Sequence, residues 1–451
     1  MVTRRRRGNR AALAVWMNGE RVGNWSRTPA DVEVFEYDES WLQSPRTRPL
    51  SLTMPFLPGN ATHRGDQVAA WFANLLPDNV DIRRRIATRF SVKNDTRSLL
   101  AEIGRDCVGA VQILLPDEVP SQTSALDSHP MTEADVARVL RSVTSGSAFG
   151  LDKTTNENFR ISVAGAQEKT ALLQKNGRWY HPRGSTPSTH ILKLPLGLVG
   201  GTRYDLQHSI ENEWLCLQLL NVLGFNVART HMASFVDSVS TEHALVVERF
   251  DRQWTEDQQA IVRLPQEDLC QATGTPPDRK YENEGGPGIR TILPLLRAGN
   301  APKDDVRTFV LAQLAFWLLA AIDGHAKNFS FFLLRKGYTL TPMYDVISAW
   351  PFMGHEANKL PIQRAKLAMA IRCKNAHYEL HRITVRHWKC LCDESGVAFA
   401  EMQTLVDGVP SAIANVASGL PLNFPEAVWE AITRGLLTQA KRFHDGAQAS
   451  V

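Results

Sequence analysis

Most of the features that mark a specialised class of protein are scarce in this chain. Its six cysteines (Cys107, Cys216, Cys270, Cys373, Cys390 and Cys392) include no Cys-x-x-Cys pair. Cys390-Leu-Cys392 has no second pair nearby to complete a zinc site. The expectation is six reduced thiols, as in a cytosolic protein. A membrane span needs ~20 apolar residues, whereas the longest run, Phe309 to Ile322, has 14 and contains Gln313; it reads as a buried helix. The glycines form neither Gly-x-Gly-x-x-Gly nor a Walker A sequence. No internal repeat, low-complexity block or helix-turn-helix is identifiable. Strong net charge is also missing: the total is +4, and Arg4, Arg5, Arg6, Arg7 and Arg10 all fall in the first ten residues, so the remainder is close to neutral. That start imitates a secretory signal, but the apolar stretch Ala11 to Met17 is only seven residues long and runs into Asn18-Gly-Glu-Arg21, so it is not read as one.

What is present is an ordinary globular composition, 43% apolar and 22% charged over 451 residues, enough for two or three packed units. After an Arg-rich tail over 1–10, Ala12 to Met17 entering the Asn18-Gly19 turn, and Val32 to Tyr37, read as strands. Gln67 to Phe90 has helical spacing broken by Pro77, which gives an α+β unit over 11–117. A linker with Pro116, Pro120 and Ser121 to Ser124 follows, and Thr132-Glu-Ala-Asp135 opens a helix, within 118–150. The span 151–265 turns to strands, at Arg160 to Val163, Thr170 to Leu173, His190 to Leu194 and Ala244 to Glu248. Among them lies a helix, Ile210 to Leu223, closed by Gly224. The span 266–445 is helical in its long segments, Asp304 to Ile322, Ala398 to Val406 and Pro425 to Phe443. Within it, Lys359 to Lys389 carries eight Lys or Arg against Glu379 alone, a face that either is merely solvated or contacts nucleic acid.

The most informative feature is Asp323-Gly-His-Ala-Lys-Asn328 at the end of that apolar run, followed beyond a hairpin by Asp345. Phosphoryl transfer from ATP asks for a carboxylate to orient the attacking hydroxyl and for hard oxygen donors to hold Mg²⁺. Asp323 fits the first task, Asn328 and Asp345 the second. Either aspartate alone is commonly a loop or cap residue; the three at this spacing point to the chemistry. Lys193, in the strand His190-Ile-Leu-Lys-Leu, is the candidate cation for the α/β-phosphates. Glu213 is its first candidate partner and Glu211 the second. Glu248-Arg249-Phe250 follows an apolar strand and reads as a hinge offering backbone groups to adenine, or equally as a strand running into a polar turn. Val163-Ala164-Gly165-Ala166-Gln167-Glu168-Lys169, between two strands, could fold its N–H groups over phosphates. Gly285-Gly-Pro-Gly288 reads as a surface loop.

Taken together, Ile161-Ser-Val-Ala-Gly-Ala-Gln-Glu-Lys-Thr-Ala-Leu-Leu173, Thr189-His-Ile-Leu-Lys-Leu-Pro195, Val247-Glu-Arg-Phe-Asp-Arg252, Arg263-Leu-Pro-Gln-Glu-Asp268, Asp323-Gly-His-Ala-Lys-Asn-Phe-Ser330 and Leu340-Thr-Pro-Met-Tyr-Asp-Val-Ile-Ser348 resemble the HipA family, the serine/threonine-kinase toxins of HipBA modules. Trp16-Met-Asn-Gly-Glu-Arg-Val-Gly23, Asn74-Leu-Leu-Pro-Asp78 and Glu102-Ile-Gly-Arg-Asp106 resemble that family's first subdomain. The resemblance implies an α+β, protein-kinase-like two-lobed fold with an additional N-terminal subdomain, using ATP and Mg²⁺. It extends the candidate nucleotide contacts to His325, Lys327 and Tyr344. It implies a serine of glutamyl-tRNA synthetase as target, stalled translation and growth arrest. It also implies autophosphorylation at Ser162, where a phosphate dianion would compete with ATP for the donors of 163–169. Its implied partners are a HipB-like helix-turn-helix antitoxin dimer and, through it, operator DNA with the chain as co-repressor. The location would be the bacterial cytoplasm, at the nucleoid when DNA-bound, with no membrane. Arg4 to Arg7 depart from the family pattern. The rival readings are a small-molecule phosphotransferase, which shares the Asp-x₄-Asn layout, and a binding module devoted to co-repression.

Overall fold

The computed structural model describes residues 12–120, 126–144, 167–199, 204–356 and 358–449. Ser162, Val163 to Ala166 and the Arg-rich tail lie outside the described residues.

The N-terminal unit is a five-stranded antiparallel sheet in the order His63–Arg64, Glu33–Tyr37, Glu20–Arg27, Leu13–Met17, Val111–Leu114. Its first hairpin turns at Asn18 and Gly19, both with positive φ (46° and 83°), the backbone that Asn-Gly favours. The helices Asp66–Ala73, Val80–Phe90 and Thr96–Ile103 supply the other half of its core. There Trp25 stacks on Phe72 at 3.9 Å, burying two large rings in one contact.

The second unit is a six-stranded sheet, ordered Thr230–Val236, Thr241–Glu248, His190–Lys193, Lys169–Lys175, Arg178–Pro182, Ser128–Met131. The last is an edge strand, which tolerates Pro130. Helix Glu133–Thr144 covers one face, with Val136, Ala137 and Leu140 against Leu172, Leu192 and Val246. Its start is the reciprocal cap expected of Thr132-Glu-Ala-Asp135: Thr132 and Asp135 each donate a backbone N–H to the other's side chain, at 2.9 and 3.2 Å. Helix Ser209–Val222 packs near the strands Thr230–Val236 and Thr241–Glu248, and carries Glu213.

The third unit wraps helix Pro302–Leu319. Pro302 occupies its first turn, where a missing N–H costs nothing. From Phe309 to Leu319 every side chain is buried, so the helix is a core element on all sides. It stops at Ala320, which adopts left-handed backbone (φ 49°), and the chain then delivers Asp323. Helices Ile289–Ala298, Val385–Ser395, Phe399–Asp407 and Glu426–Gln448 pack against it. The hairpin expected ahead of Asp345 is present, Ser330–Leu333 and Tyr338–Leu340; the sequence reading missed the strand Gln266–Asp268 that extends it to a three-stranded sheet. These strands are three to four residues long, too short for a period to declare itself.

The expectation of six reduced thiols is corrected: Cys373 and Cys390 form a disulfide, Cα atoms 5.3 Å apart. They lie 17 residues apart across a hairpin and a helix start, a proximity that no Cys-x-x-Cys spacing signals. The other four thiols are free and buried. The hairpin Lys366–Arg372/Ala376–Glu379 and the following helix display Arg364, Lys366, Lys374, Arg382 and Arg386 to solvent. Arg372 instead turns inward to Glu282. Among the described residues no helix is long and apolar enough to cross a membrane.

The N-terminal unit is joined to the rest by buried polar contacts. The Asp106 carboxylate meets Arg252 at 2.9 Å, Arg263 at 3.2 Å and Arg249 at 3.3 Å, and accepts from the Ser188 hydroxyl at 2.6 Å. Asp251 adds a second carboxylate, 2.8 Å from Arg249. Burial alone would raise the Asp106 carboxyl, but the three guanidiniums hold it far below the usual carboxylate range. Glu267 accepts from the Leu52 N–H at 2.9 Å and from the Trp71 indole at 3.1 Å.

Candidate active site

A cleft between the six-stranded sheet and the helical unit gathers residues from many parts of the chain. Lys193 lies on its roof. Sheet register sets Lys169 directly opposite Lys193 on the neighbouring strand. Like charges placed so repel unless anions sit between them. Two anions are built in: the Lys193 ammonium donates to Glu213 Oε1 and to Asp345 Oδ1, both at 2.7 Å. Burial opposes the charge on Lys193, but Asp345 and Glu213 outweigh it and raise its pKa above the ordinary lysine value. Burial likewise opposes the charge on Asp345, yet Lys193 and Lys169 hold its carboxyl well below the usual range. For Lys169 burial outweighs the opposing pull of Asp345 and pushes its ammonium down to about 8. Glu213, almost fully enclosed, is pushed up by burial despite Lys193.

The floor comes from the loop after Leu319. Gly324 lies flat against Phe316, whose ring a Cβ would approach to 2.4 Å, so no other residue fits there without displacing the ring. Asp323 is half exposed at the cleft mouth, where Oδ1 accepts from the Tyr281 hydroxyl. Tyr281 in turn meets the His325 ring edge-on at 5.1 Å. Burial keeps His325 below its ordinary pKa, and it lies 3.8 Å from Asp323. Asn328 donates to the Asp345 carbonyl at 2.8 Å. Tyr344 donates to the Lys327 carbonyl at 2.9 Å, so the Asp323 loop and the Tyr344-Asp345 segment are pinned together. Asp345 itself has left-handed backbone (φ 59°), a conformation that costs a non-glycine residue energy and recurs at functional sites.

Asn328 Oδ1 is buried and, among the described residues, accepts no hydrogen bond. A buried carbonyl left unpaired asks for a partner. With the second carboxylate oxygen of Asp345, which lines the same cleft, it supplies hard donors that fit Mg²⁺, a metal commonly held by one or two protein groups plus substrate phosphates. Among the described residues no group of three or more His, Cys, Asp or Glu side chains could hold a metal alone.

The other expected contacts divide. Gln167, Lys169, Glu248, Phe250, His325, Lys327 and Tyr344 line the cleft with Lys193, Glu213, Asp323, Asn328 and Asp345. The Glu168 side chain turns away to Arg85 of the N-terminal unit. The Arg249 guanidinium is spent on Asp106 and Asp251, so Arg249 can offer a ligand only its backbone. Gly285 to Gly288 is no plain surface loop: Gly286 packs so tightly that a Cβ would lie 2.1 Å from the Arg279 carbonyl oxygen, closing the turn that presents Lys280 and Tyr281. Sequence reasoning passed over Lys280 and Tyr281, and Asp268 entered only as the end of a motif. Asp268 is buried beside the cleft, and burial pushes its carboxyl up to about 6. Asp78 appeared only as part of a motif; its carboxylate also lines the cleft. The Tyr281-Glu-Asn-Glu-Gly-Gly run, with its paired glycines after acids, was the available signal for the first two.

A strand-rich lobe with a Lys–Glu ion pair, a helical lobe with Asp323, Asn328 and Asp345, and a cleft between them define an α+β, protein-kinase-like two-lobed fold carrying an extra N-terminal α+β subdomain. The chain belongs to the HipA family: residues 161–417 match the HipA-like C-terminal domain and residues 13–114 the HipA N-terminal domain. It is 30% identical to the "Putative kinase Y4mE" of Sinorhizobium fredii over 90% of this chain and 91% of that one. It is 28% identical to the serine/threonine-protein kinase toxin HipA of Shewanella oneidensis, over 87% and 86% of the two chains. The solved structure of the Shewanella oneidensis HipA, HipB and operator DNA complex is similar with a TM-score of 0.77 at 25% identity, covering 97% of this chain and 98% of that one.

Proposed function

We propose that the chain is an ATP- and Mg²⁺-dependent serine/threonine-protein kinase and the toxin of a HipBA-like module, with residues 11–117 as its accessory subdomain, 118–150 as linker and helix, 151–265 as small lobe and 266–445 as large lobe. The observation that carries the reading is the Lys193 ammonium shared between Glu213 and Asp345, in one cleft with Asp323 and the unpaired Asn328 oxygen. Kinase-like enzymes use a Lys–Glu ion pair of this kind to set the phosphate-binding cation.

The residues divide the work as follows. The backbone of Glu248 to Phe250 receives the adenine. Lys193 and Lys169 face the phosphates, and Asp345, now bound to the Lys193 ammonium, would with Asn328 hold the metal. Bound at Asn328 and Asp345, Mg²⁺ would supply charge neutralisation for the phosphates. Asp323 accepts the proton of the incoming serine hydroxyl, and the Tyr281 hydroxyl fixes one of its oxygens so that the other faces the cleft mouth. Lys327 offers its ammonium to the charge on the transferring group. Ser162 is the proposed autophosphorylation site that silences the enzyme, and glutamyl-tRNA synthetase the proposed target, with growth arrest as the outcome. The co-repressor duty is supported by the likeness to a HipA bound with HipB and operator DNA and by the exposed basic residues of 364–386. These would add phosphate contacts to those of a HipB-like partner.

The test is incubation of the purified chain with Mg²⁺ and γ-labelled ATP, with and without glutamyl-tRNA synthetase, beside Asp323→Asn and Ser162→Ala. Label on Ser162 and on the synthetase is expected, lowered at least ~100-fold by Asp323→Asn, in keeping with the usual worth of a general base. A phosphatase-treated parent that labels neither itself nor the synthetase would refute the kinase reading. Operator affinity of a HipB-like antitoxin that rises on adding the unlabelled chain would then leave co-repression as its function.

A further inference from the structure

The N-terminal unit reaches into the cleft. Helix Asp66–Ala73 ends at Asn74, whose side chain donates to the Ala70 carbonyl and to the Thr275 carbonyl of the large lobe, each at 2.9 Å. Leu75 and Leu76 are buried, the Pro77 carbonyl accepts from Arg83, and the tight turn so formed ends in Asp78. One Asp78 oxygen lies 2.6 Å from the Lys327 ammonium and the other 3.0 Å from that of Lys280. All three side chains are largely enclosed (12% exposed for Asp78, 5% for Lys327, 15% for Lys280). Lys327 stands between Asp323 and Asn328 in the chain. Lys280 adjoins Tyr281, the residue that holds Asp323, and its ammonium lies 5.6 Å from that ring.

Two lysines converging on one carboxylate cancel only one of their two charges, so the group presents a net positive charge to the cleft. Each ammonium has three donors and spends one on Asp78. Free lysine side chains sample many rotamers, and a cation that must meet developing charge on a phosphoryl group is most effective when it is already in place. We infer that Asp78, supplied by the N-terminal unit, is a positioning residue of the phosphoryl-transfer site, fixing the ammonium groups of Lys327 and Lys280 where the transferring phosphate arrives. The inference rests on the kinase reading above. It means that the N-terminal unit is a working part of the active site as well as a packing partner of the lobes. Asp78 does not touch the phosphate; as an anion it opposes ATP directly and acts through the lysines.

Those two consequences separate positioning from simpler roles. For the full-length chain with Mg²⁺ and ATP, kcat and the ATP KM are measured for the parent, Asp78→Asn and Asp78→Glu, along with melting temperature and affinity for a non-hydrolysable ATP analogue. The expected result for Asp78→Asn is a kcat lower by about 10- to 100-fold, the usual penalty of a mispositioned catalytic group. Analogue affinity should be unchanged or tighter, because an anion has left a phosphate site, and Asp78→Glu should recover part of the loss. An Asp78→Asn chain that turns over as fast as an active parent overturns the inference and leaves the kinase reading intact. A loss of kcat that tracks a fall in melting temperature and is not relieved by glutamate makes Asp78 only a structural joint, and overturns it equally. A parent that binds the analogue and transfers no phosphate removes the kinase reading, and this inference with it.

Discussion

Replacing Lys193 with methionine tests whether the ion pair at the heart of the cleft is a stabilising unit or a strained one. The substitution keeps the length of the side chain and removes the ammonium that Glu213 and Asp345 share. Glu213 is 1% exposed and Asp345 36%, so the first carboxylate is left in a dry site and the second in a half-wet one. Breaking a buried pair from one side costs about 3–5 kcal/mol. The lower end applies here, because Lys169 remains opposite and Asp345 retains water. Glu213→Gln should behave differently. Its Oε1 can still accept from Lys193, the Oε2 position has no hydrogen-bond partner to lose among the described residues, and burial already disfavours the charged form there. A cost of about 1 kcal/mol or less follows. Combining Lys193→Met with Glu213→Gln removes the stranded charge, and should recover at least ~1 kcal/mol of the methionine penalty. The assay is urea unfolding near neutral pH followed by tryptophan fluorescence. Equal losses for Lys193→Met and Glu213→Gln, or a double variant no better than Lys193→Met, would refute the reasoning.

Three further outcomes are expected. Asp106→Asn leaves three buried guanidiniums with Asp251 as their only carboxylate in the cluster and should cost about 3–5 kcal/mol. Adding Arg263→Met should return part of it, since burial and its cationic neighbours already push Arg263 down to about 10; strict additivity in the unfolding curves would contradict this. Burial pushes Glu267 up to about 7, above its unfolded value of ~4.3. A carboxyl raised on folding stabilises the fold when protonated, so its contribution is present below that unfolded value and is lost as pH rises through 7, on the order of 3 kcal/mol. Unfolding free energies of the parent and Glu267→Gln should therefore diverge between mildly acid and mildly alkaline pH, the parent losing ground, and parallel curves would show that Glu267 is not the titrating group. Reducing the Cys373–Cys390 disulfide, or replacing Cys373 with serine, should lower stability by ~3 kcal/mol for a loop of this length, read as a drop in melting temperature that the reductant does not deepen in Cys373→Ser. A parent indifferent to reductant would return all six cysteines to the reduced state.

The parts of this protein that were readable from the chain are those in which neighbours in sequence are neighbours in space. Asp323 and Asn328 are five residues apart on one loop, and the apolar run ahead of them was long enough to declare a buried helix. Thr132 and Asp135 announced their helix by capping chemistry that needs only local backbone. Glu213 could be picked as the partner of Lys193 because a helix following a strand tends to pack back on it. What could not be read depends on register or on distant partners. Nothing in Lys169 or Lys193 says that the two face each other across adjacent strands, because a one-residue slip in pairing would separate them. Arg249 sits in a motif that suggested the hinge, yet its guanidinium is claimed by Asp106 from another unit. Asp78, Lys280 and Lys327 come from three separate stretches; Lys327 entered as a candidate nucleotide contact and Asp78 as the end of a motif, but no local pattern says that the three meet.

The cluster around Asp106 also bears on how the cleft opens. Arg249 and Asp251 lie at the proposed hinge, the segment about which two lobes of this kind would rock, and both are locked to the N-terminal unit through Asp106 and the Gly109 N–H. Glu267, a few residues further on, is held by Leu52 and Trp71 of the same unit. A hinge needs slack, and this one is splinted from the outside. In the proposed kinase, nucleotide traffic would fall to the sheet that roofs the site, while the axis between the lobes stays set.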